Sequence, residues 1–198
     1  MKGFLNFALI VFILLVANAC KKSAVKPVVV TPQPLMQYLN LKDSAITFGK
    51  GASFDLNNDG EKDVLFSTLL VGDPVEQKDK KQWFISTSLS SNLPVNSAER
   101  IPVMNHPDAI PVNNFSGYTW YNAASIVLVQ KTITMMLPPY WEGDWKESSH
   151  RYIPVQIIKP DGLYNGWVEV SFNTATEKLI LHRSAVSLEA NKEVFAGK

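Results

Sequence analysis

Seven runs of β-branched and aromatic residues, each stopped by a turn cluster, constrain this chain more than any other feature. They are "AITF" (45–48), "VLFSTLLV" (64–71), "WFISTSL" (83–89), "SIVLVQKTITMML" (125–137), "RYIPVQII" (151–158), "GWVEVSF" (166–172) and "KLILHRSAVSL" (178–188). The clusters "NNDG", "NLPVNS", "NHPD", "NNFSG", "LPPYWEGD", "KPDG" and "NTATE" separate them. Val, Ile, Thr, Phe and Trp suit a pleated surface, and Gly, Pro, Asn and Asp close one strand before the next begins. In "GWVEVSF", Val168, Val170 and Phe172 alternate with Trp167, Glu169 and Ser171. That period of two predicts a sheet buried on the valine side and open on the other. Beyond the N-terminal segment, no window of about 12 residues has helical spacing. The expected fold is a single all-β domain over 36–198, a jelly-roll-like antiparallel two-sheet sandwich of about six to nine strands.

The N-terminus reads differently. Lys2 precedes an apolar run from Phe4 to Ala17, broken only by Asn6. The run is shorter than the roughly 20 residues that span a bilayer. Ala17-Asn18-Ala19 is a small-residue cleavage signature, so residues 1–19 are expected to be a signal peptide. Val16-Ala17-Asn18-Ala19-Cys20 resembles a bacterial lipobox, in which the cysteine is lipidated and becomes the first mature residue. That resemblance implies a lipid anchor at Cys20, which holds a domain on a membrane without spanning it. Cys20 is the one cysteine of the chain, so no internal disulfide can form. Residues 20–35 then form a Pro-rich tether, with Val28–Val30 as a competing edge-strand reading.

Charge excludes one class of partner. The chain has 19 Lys and Arg against 18 Asp and Glu, and loss of Lys2 with the signal leaves them balanced. A balanced chain has no electrostatic case for nucleic acid.

The charge that does cluster lies in Asp55–Asp63, "DLNNDGEKD". Asp55, Asn57 and Asp59 occupy alternate positions, Gly60 marks the sharp turn, and Glu61 and Asp63 follow. This is the first part of a calcium loop, in which oxygens at alternate positions point inward at a hard cation. The EF-hand remainder is absent: Phe66 stands where a bidentate glutamate would be needed, and a strand follows. The competing reading is a metal-free hairpin turn, since Asn-Asp-Gly is a turn signal by itself. Mutual repulsion of four acidic groups, offset inside the loop by Lys62 alone, favours structural calcium held by Asp55, Asn57, Asp59, Glu61 and Asp63.

"FDLNNDGEKDVLF" looks like the calcium turns of FG-GAP and integrin-type β-propeller repeats, although those recur and this chain has one copy. It is more similar to secreted or lipid-anchored β-sandwich proteins of the Bacteroidetes type. There an early D-x-N-x-D-G-x-x-D turn pairs with a late GW-x-x-V/L strand and a C-terminal small-residue pair. Here these are Asp55–Asp63, Gly166–Val170 and Ala196-Gly197. The resemblance implies fold and cell-envelope location, at the outer membrane on its periplasmic or surface side, and little about activity.

Residues 138–152, "PPYWEGDWKESSHRY", set Tyr140, Trp141 and Trp145 beside Glu142 and Asp144, with Tyr118, Trp120 and Tyr121 nearby in "YTWYN". Aromatic faces beside carboxylates suit a sugar ring. The alternative, favoured by their buried area, is that these aromatics cap the core. No HExxH, GxSxG, P-loop or GxGxxG is present, and nothing in the order of Ser, His and Asp assembles a triad. His182 in "LILHRS" reads as a solvent-facing strand residue. The expected function is a non-catalytic envelope module contacting glycan or a surface protein, the alternative a hydrolase of polysaccharide or cell-wall glycan.

Overall fold

The computed structural model describes residues 32–122 and 124–198. The expected signal peptide, Cys20 and the tether as far as residue 31 lie outside the described residues. Gln33–Lys198 form one compact unit, and no described residue is helical. In chain order the strands are β1 (Met36–Ile46), β2 (Ala52–Phe54), β3 (Val64–Asp73), β4 (Lys78–Thr87), β5 (Ser91–Val95), β6 (Ala109–Ile110) and β7 (Thr119–Asn122). They continue with β8 (Ser125–Thr134), β9 (Tyr140–Glu142), β10 (Arg151–Lys159), β11 (Gly162–Asn173), β12 (Lys178–Ser187) and β13 (Val194–Phe195). Two large antiparallel sheets result, ordered β1-β12-β11-β10-β5-β7 and β2-β3-β4-β8-β9, with a small β13-β6 pair. The all-β sandwich expected from the alternation is the observed architecture.

All seven expected runs lie wholly or partly in strands. Two expected turn clusters also hold strands: β5 overlaps "NLPVNS" and β9 lies inside "LPPYWEGD". Proline hides β5 from a pattern search, since Pro94 has no N–H for a ladder. It is tolerated because β10 pairs with β5 only at Ser91 and Asn92, leaving position 94 free of that neighbour. The first strand starts well before "AITF", at Met36, and polar Gln37, Asn40, Lys42 and Asp43 hide its start by interrupting the apolar code.

Inner faces of the two sheets make the main core. Val168, Val170, Phe172, Leu179, Leu181, Ile153 and Val155 from the first sheet meet Val64, Phe66, Trp83, Ile85, Ile126 and Leu128 from the second. Trp83 sits edge-on to Phe172 at 5.2 Å, and Trp141 closes the group at 5.6 Å from each. Across one end of the core, Glu177 in the β11–β12 turn bonds Lys81 of β4 at 2.6 Å and Lys131 of β8 at 2.5 Å. The two ammonium groups hold the Glu177 carboxyl below its ordinary value.

The far side of the first sheet corrects the sequence reading of an open face. Trp167 is fully buried there with Tyr152, Met104, Ile110, Ala185, Val194 and Ala196. The segment after β5 and the C-terminal residues lie over that half of the face. Two glycines of the quoted motifs have physical reasons in this packing. A Cβ on Gly166 would stand 2.4 Å from the Ala185 carbonyl oxygen, so β11 approaches β12 as closely as it does only without a side chain. Gly197 has φ +80°, and its Cβ would lie 2.7 Å from the Tyr152 ring. That seat brings the Lys198 carbonyl to accept the Trp167 indole N–H at 3.1 Å.

Candidate functional site

The acidic loop lies between β2 and β3, and its own backbone organises it. Asp55 accepts the N–H groups of Asp59 (3.2 Å) and Gly60 (2.7 Å). Asn57 accepts the Asp59 N–H at 3.1 Å and donates its amide to the Asp59 carboxylate at 2.7 Å. Asp59 in turn accepts the Glu61 N–H at 3.0 Å. Positive φ at Asn58 (58°) and Gly60 (97°) bends the chain so that these N–H groups point inward. The Glu61 N–H is the main influence holding the Asp59 carboxyl below its ordinary value; burial opposes it and the Asn57 amide assists.

The structure therefore brings Asp55, Asn57 and Asp59 together and leaves the Glu61 carboxylate on the exposed side. Asp63 does something else. It is buried beneath the loop, accepting the Leu56 N–H at 2.6 Å and the Ser91 hydroxyl at 3.1 Å, which pins the loop to β5. Among the described residues no group of three or more His, Cys, Asp or Glu is arranged to hold a metal. The converged trio does supply carboxylate and amide oxygen, the donor class a hard cation needs.

Asp63 has a testable pH consequence. Burial pushes its carboxyl above the ordinary 3.8, against the two hydrogen bonds, and the charges of Asp59 and Asp55 add to the rise. The folded chain then keeps a proton that the unfolded chain has released. Stability from this group consequently falls as pH rises from 3.8 through the raised value. In EDTA, urea midpoints of the native chain and Asp63→Asn, followed upward from pH 3.8, should diverge in favour of the variant. Divergence in favour of the native chain would show that the charged carboxylate is stabilising.

The aromatic stretch does not present its indoles as a platform. Trp145 is buried, Trp141 packs on Trp83 and Phe172 with Lys131 over its ring, and Tyr140 alone stands exposed. Glu142 accepts Gln130 (2.9 Å) and Thr132 (2.8 Å), while Asp144 pairs with Arg100 at 2.8 Å. Both carboxylates line a cleft of about 280 Å³, each already engaged.

A different concavity gathers neutral groups. Asn92, Val112, Asn113, Asn114, Trp120, Gln156 and Leu163 line a depression of about 450 Å³. Behind it runs a buried amide chain. Asn92 donates to Gln156 (2.9 Å), Gln156 to Asn165 (2.9 Å) and the Val112 carbonyl (3.0 Å), and Asn165 to the Ile110 carbonyl (3.0 Å). This chain ties residues 110–112 to the sheet. The Trp120 indole N–H is buried and has no partner among the described residues. Sequence reading noticed Trp120 but took "NNFSG" as a turn only, and the contribution of β5 and β10 depends on pairing across the sheet.

The outer face of the first sheet holds a row of side chains that sequence reading did not assemble. Asp43 of β1 and Ser171 of β11 flank His182 of β12. Glu169 accepts His150 Nδ1 (2.7 Å) and Arg183 Nε (2.6 Å), and the two imidazoles stack with centroids 4.4 Å apart. His182, expected to face solvent, is mostly buried (18% exposed) between its partners. Burial raises the Glu169 carboxyl, but its Arg183 and His150 hydrogen bonds prevail and leave it below its ordinary value. Only the histidines themselves could have signalled this row, since its members lie up to 140 positions apart: Asp43 and His182 are separated by 139.

Comparison with known proteins adds no relative: no family model, no curated protein and no solved structure matches the chain.

Proposed function

We propose that this chain is a lipid-anchored cell-envelope binding module of the Bacteroidetes type that takes a neutral glycan beside Trp120, with calcium stiffening the Asp55–Asp59 turn. One observation carries the reading: Trp120, whose buried indole N–H has no partner among the described residues, lines a depression in which those residues supply four side-chain amides and no charged group. Amides both donate and accept, so they match hydroxyls that do the same. An apolar wall with a few convergent polar groups is the usual build of a small-ligand site. The lipid anchor at Cys20 would keep that depression at the envelope, where glycans are plentiful. Calcium would be held by Asp55, Asn57 and Asp59 and would supply charge neutralisation at the entrance to β3.

Screening the mature chain on a glycan array, followed by calorimetry on any hit, tests the site. Asn113→Ala should weaken binding about tenfold or more, the worth of a lost buried hydrogen bond to ligand. Trp120→Phe, which keeps an aromatic ring and removes the N–H, should act in the same direction. A chain that binds no glycan, or binds it equally well in both variants, would remove this reading.

A further inference from the structure

We propose that Ser171, His182 and Asp43 form a nucleophilic relay able to hydrolyse small acyl esters. The hydrogen bonds run in the order such chemistry requires. Asp43 Oδ1 lies 2.6 Å from His182 Nδ1, and His182 Nε2 lies 2.8 Å from Ser171 Oγ. With the carboxylate on Nδ1, the imidazole holds its proton there and turns the bare Nε2 to the hydroxyl. The His150 backbone N–H, 2.9 Å from Ser171 Oγ, fixes the oxygen from the other side.

Two irregularities of the sheet create this alignment. Register between β1 and β12 shifts between Asn40 and Ser44, and there Lys42 and Asp43 have φ of 58° and 49°. Val170 pairs with Leu181 and Glu169 with Arg183, so His182 is the extra residue of a bulge. Bulges re-aim a side chain, and residues held at positive φ without glycine carry strain that the surroundings must maintain. His150, which covers the relay, also has positive φ, at 48°. Strain is thus present at Asp43 itself and at the cover of the relay.

A depression of about 520 Å³ opens over the row, lined by Tyr38, Leu39, Asn40 and Arg183 together with Asp43, His150, Glu169 and His182. Among the described residues Arg183 is its single lysine or arginine, and its guanidinium is held by Glu169 and lies over the Trp167 ring. Ser171 is half-buried and absent from the lining, because the His150 ring stacks on His182. The His150 side chain is 61% exposed, so it can swing aside without breaking the core. In the reaction, Ser171 Oγ bonds to the ester carbonyl carbon as its proton passes to His182 Nε2. The carbon–oxygen bond to the leaving alcohol breaks and that alcohol takes the proton. Water, deprotonated by His182, then attacks the acyl-serine and releases the acid, returning the proton to Ser171. Asp43 acts through His182 and is a positioning residue.

This site is separate from the Trp120 depression, so failure of the glycan reading leaves it untouched. The test treats the mature chain with a fluorophosphonate and locates the adduct by mass spectrometry, alongside p-nitrophenyl acetate turnover. The expected result is an adduct on Ser171, absent in Ser171→Ala and in His182→Ala. Asp43→Asn should slow labelling about a thousandfold or more through the wrong imidazole tautomer, with unchanged melting temperature, and Asp43→Glu should restore part of the rate. His150→Ala should speed labelling by uncovering the hydroxyl. No adduct on Ser171 in either the native chain or His150→Ala, with both folded, would make the row a structural hydrogen-bond ladder and overturn the proposal. An adduct confined to other serines would do the same.

Discussion

Trp83→Ala should cost about 3–5 kcal/mol of unfolding free energy, the range for truncating a buried aromatic. Trp83 lies at the centre of the sandwich with none of its surface exposed. It contacts Phe172 from the opposite sheet and Trp141 from the edge strand, so its loss opens a cavity bordered by both sheets. Its indole N–H also reaches the Ile46 carbonyl at 3.3 Å, tying the end of β1 to β4. Domains of this size usually have about 5–15 kcal/mol in total, so the variant should lie close to the threshold of folding. Urea denaturation measures the change. Trp83→Phe, which leaves a smaller void, should lose distinctly less. A loss below about 1 kcal/mol for the alanine variant would contradict the packing described for this residue.

Calcium should raise the melting temperature of the chain by about 5–10 °C when the ion is about a hundredfold above its dissociation constant. The figure combines about 2.7 kcal/mol of linkage with about 2–4 °C per kcal/mol for a chain of this length. Asp59→Ala should abolish the rise, because Asp59 is joined to both other members of the trio: its carboxylate accepts the Asn57 amide, and its backbone N–H donates to Asp55. Asp63→Asn should leave most of it, since Asp63 faces Leu56 and Ser91 and not the trio. A thermal melt with EDTA and with millimolar calcium separates these outcomes. An equal melting temperature in both would reduce Asp55–Gly60 to a turn satisfied by its own N–H groups.

Much of the fold was legible because strand formation is local. Val64–Val71 declares itself through its β-branched and apolar composition and Gly166–Phe172 through alternation, and "KPDG" and "NTATE" close their hairpins by turn chemistry alone. The errors came where polar residues join strands for non-local reasons. Lys78–Gln82 pairs between β3 and β8 although its composition is charged, and Ser91–Val95 pairs through Pro94 between β10 and β7. The candidate sites were less legible. Loop spacing drew attention to Asp55, Asn57 and Asp59, and these three are hydrogen-bonded to one another in the fold, because alternate positions in one turn lie close whatever the rest of the chain does. It also enrolled Asp63, whose side chain follows a buried acceptor role visible only with β5 in place.

Sequence alone determined the all-β class, most of the central strands and the convergence of the acidic turn, because each depends on neighbours within a few residues. Tertiary structure decided the rest. Burial of Trp167, the amide chain behind Trp120, and the meeting of Asp43, Ser171 and His182 each need strands distant in the chain to lie side by side. Register across a sheet depends on which strands pair and where they bulge, and no local pattern in this chain encodes either.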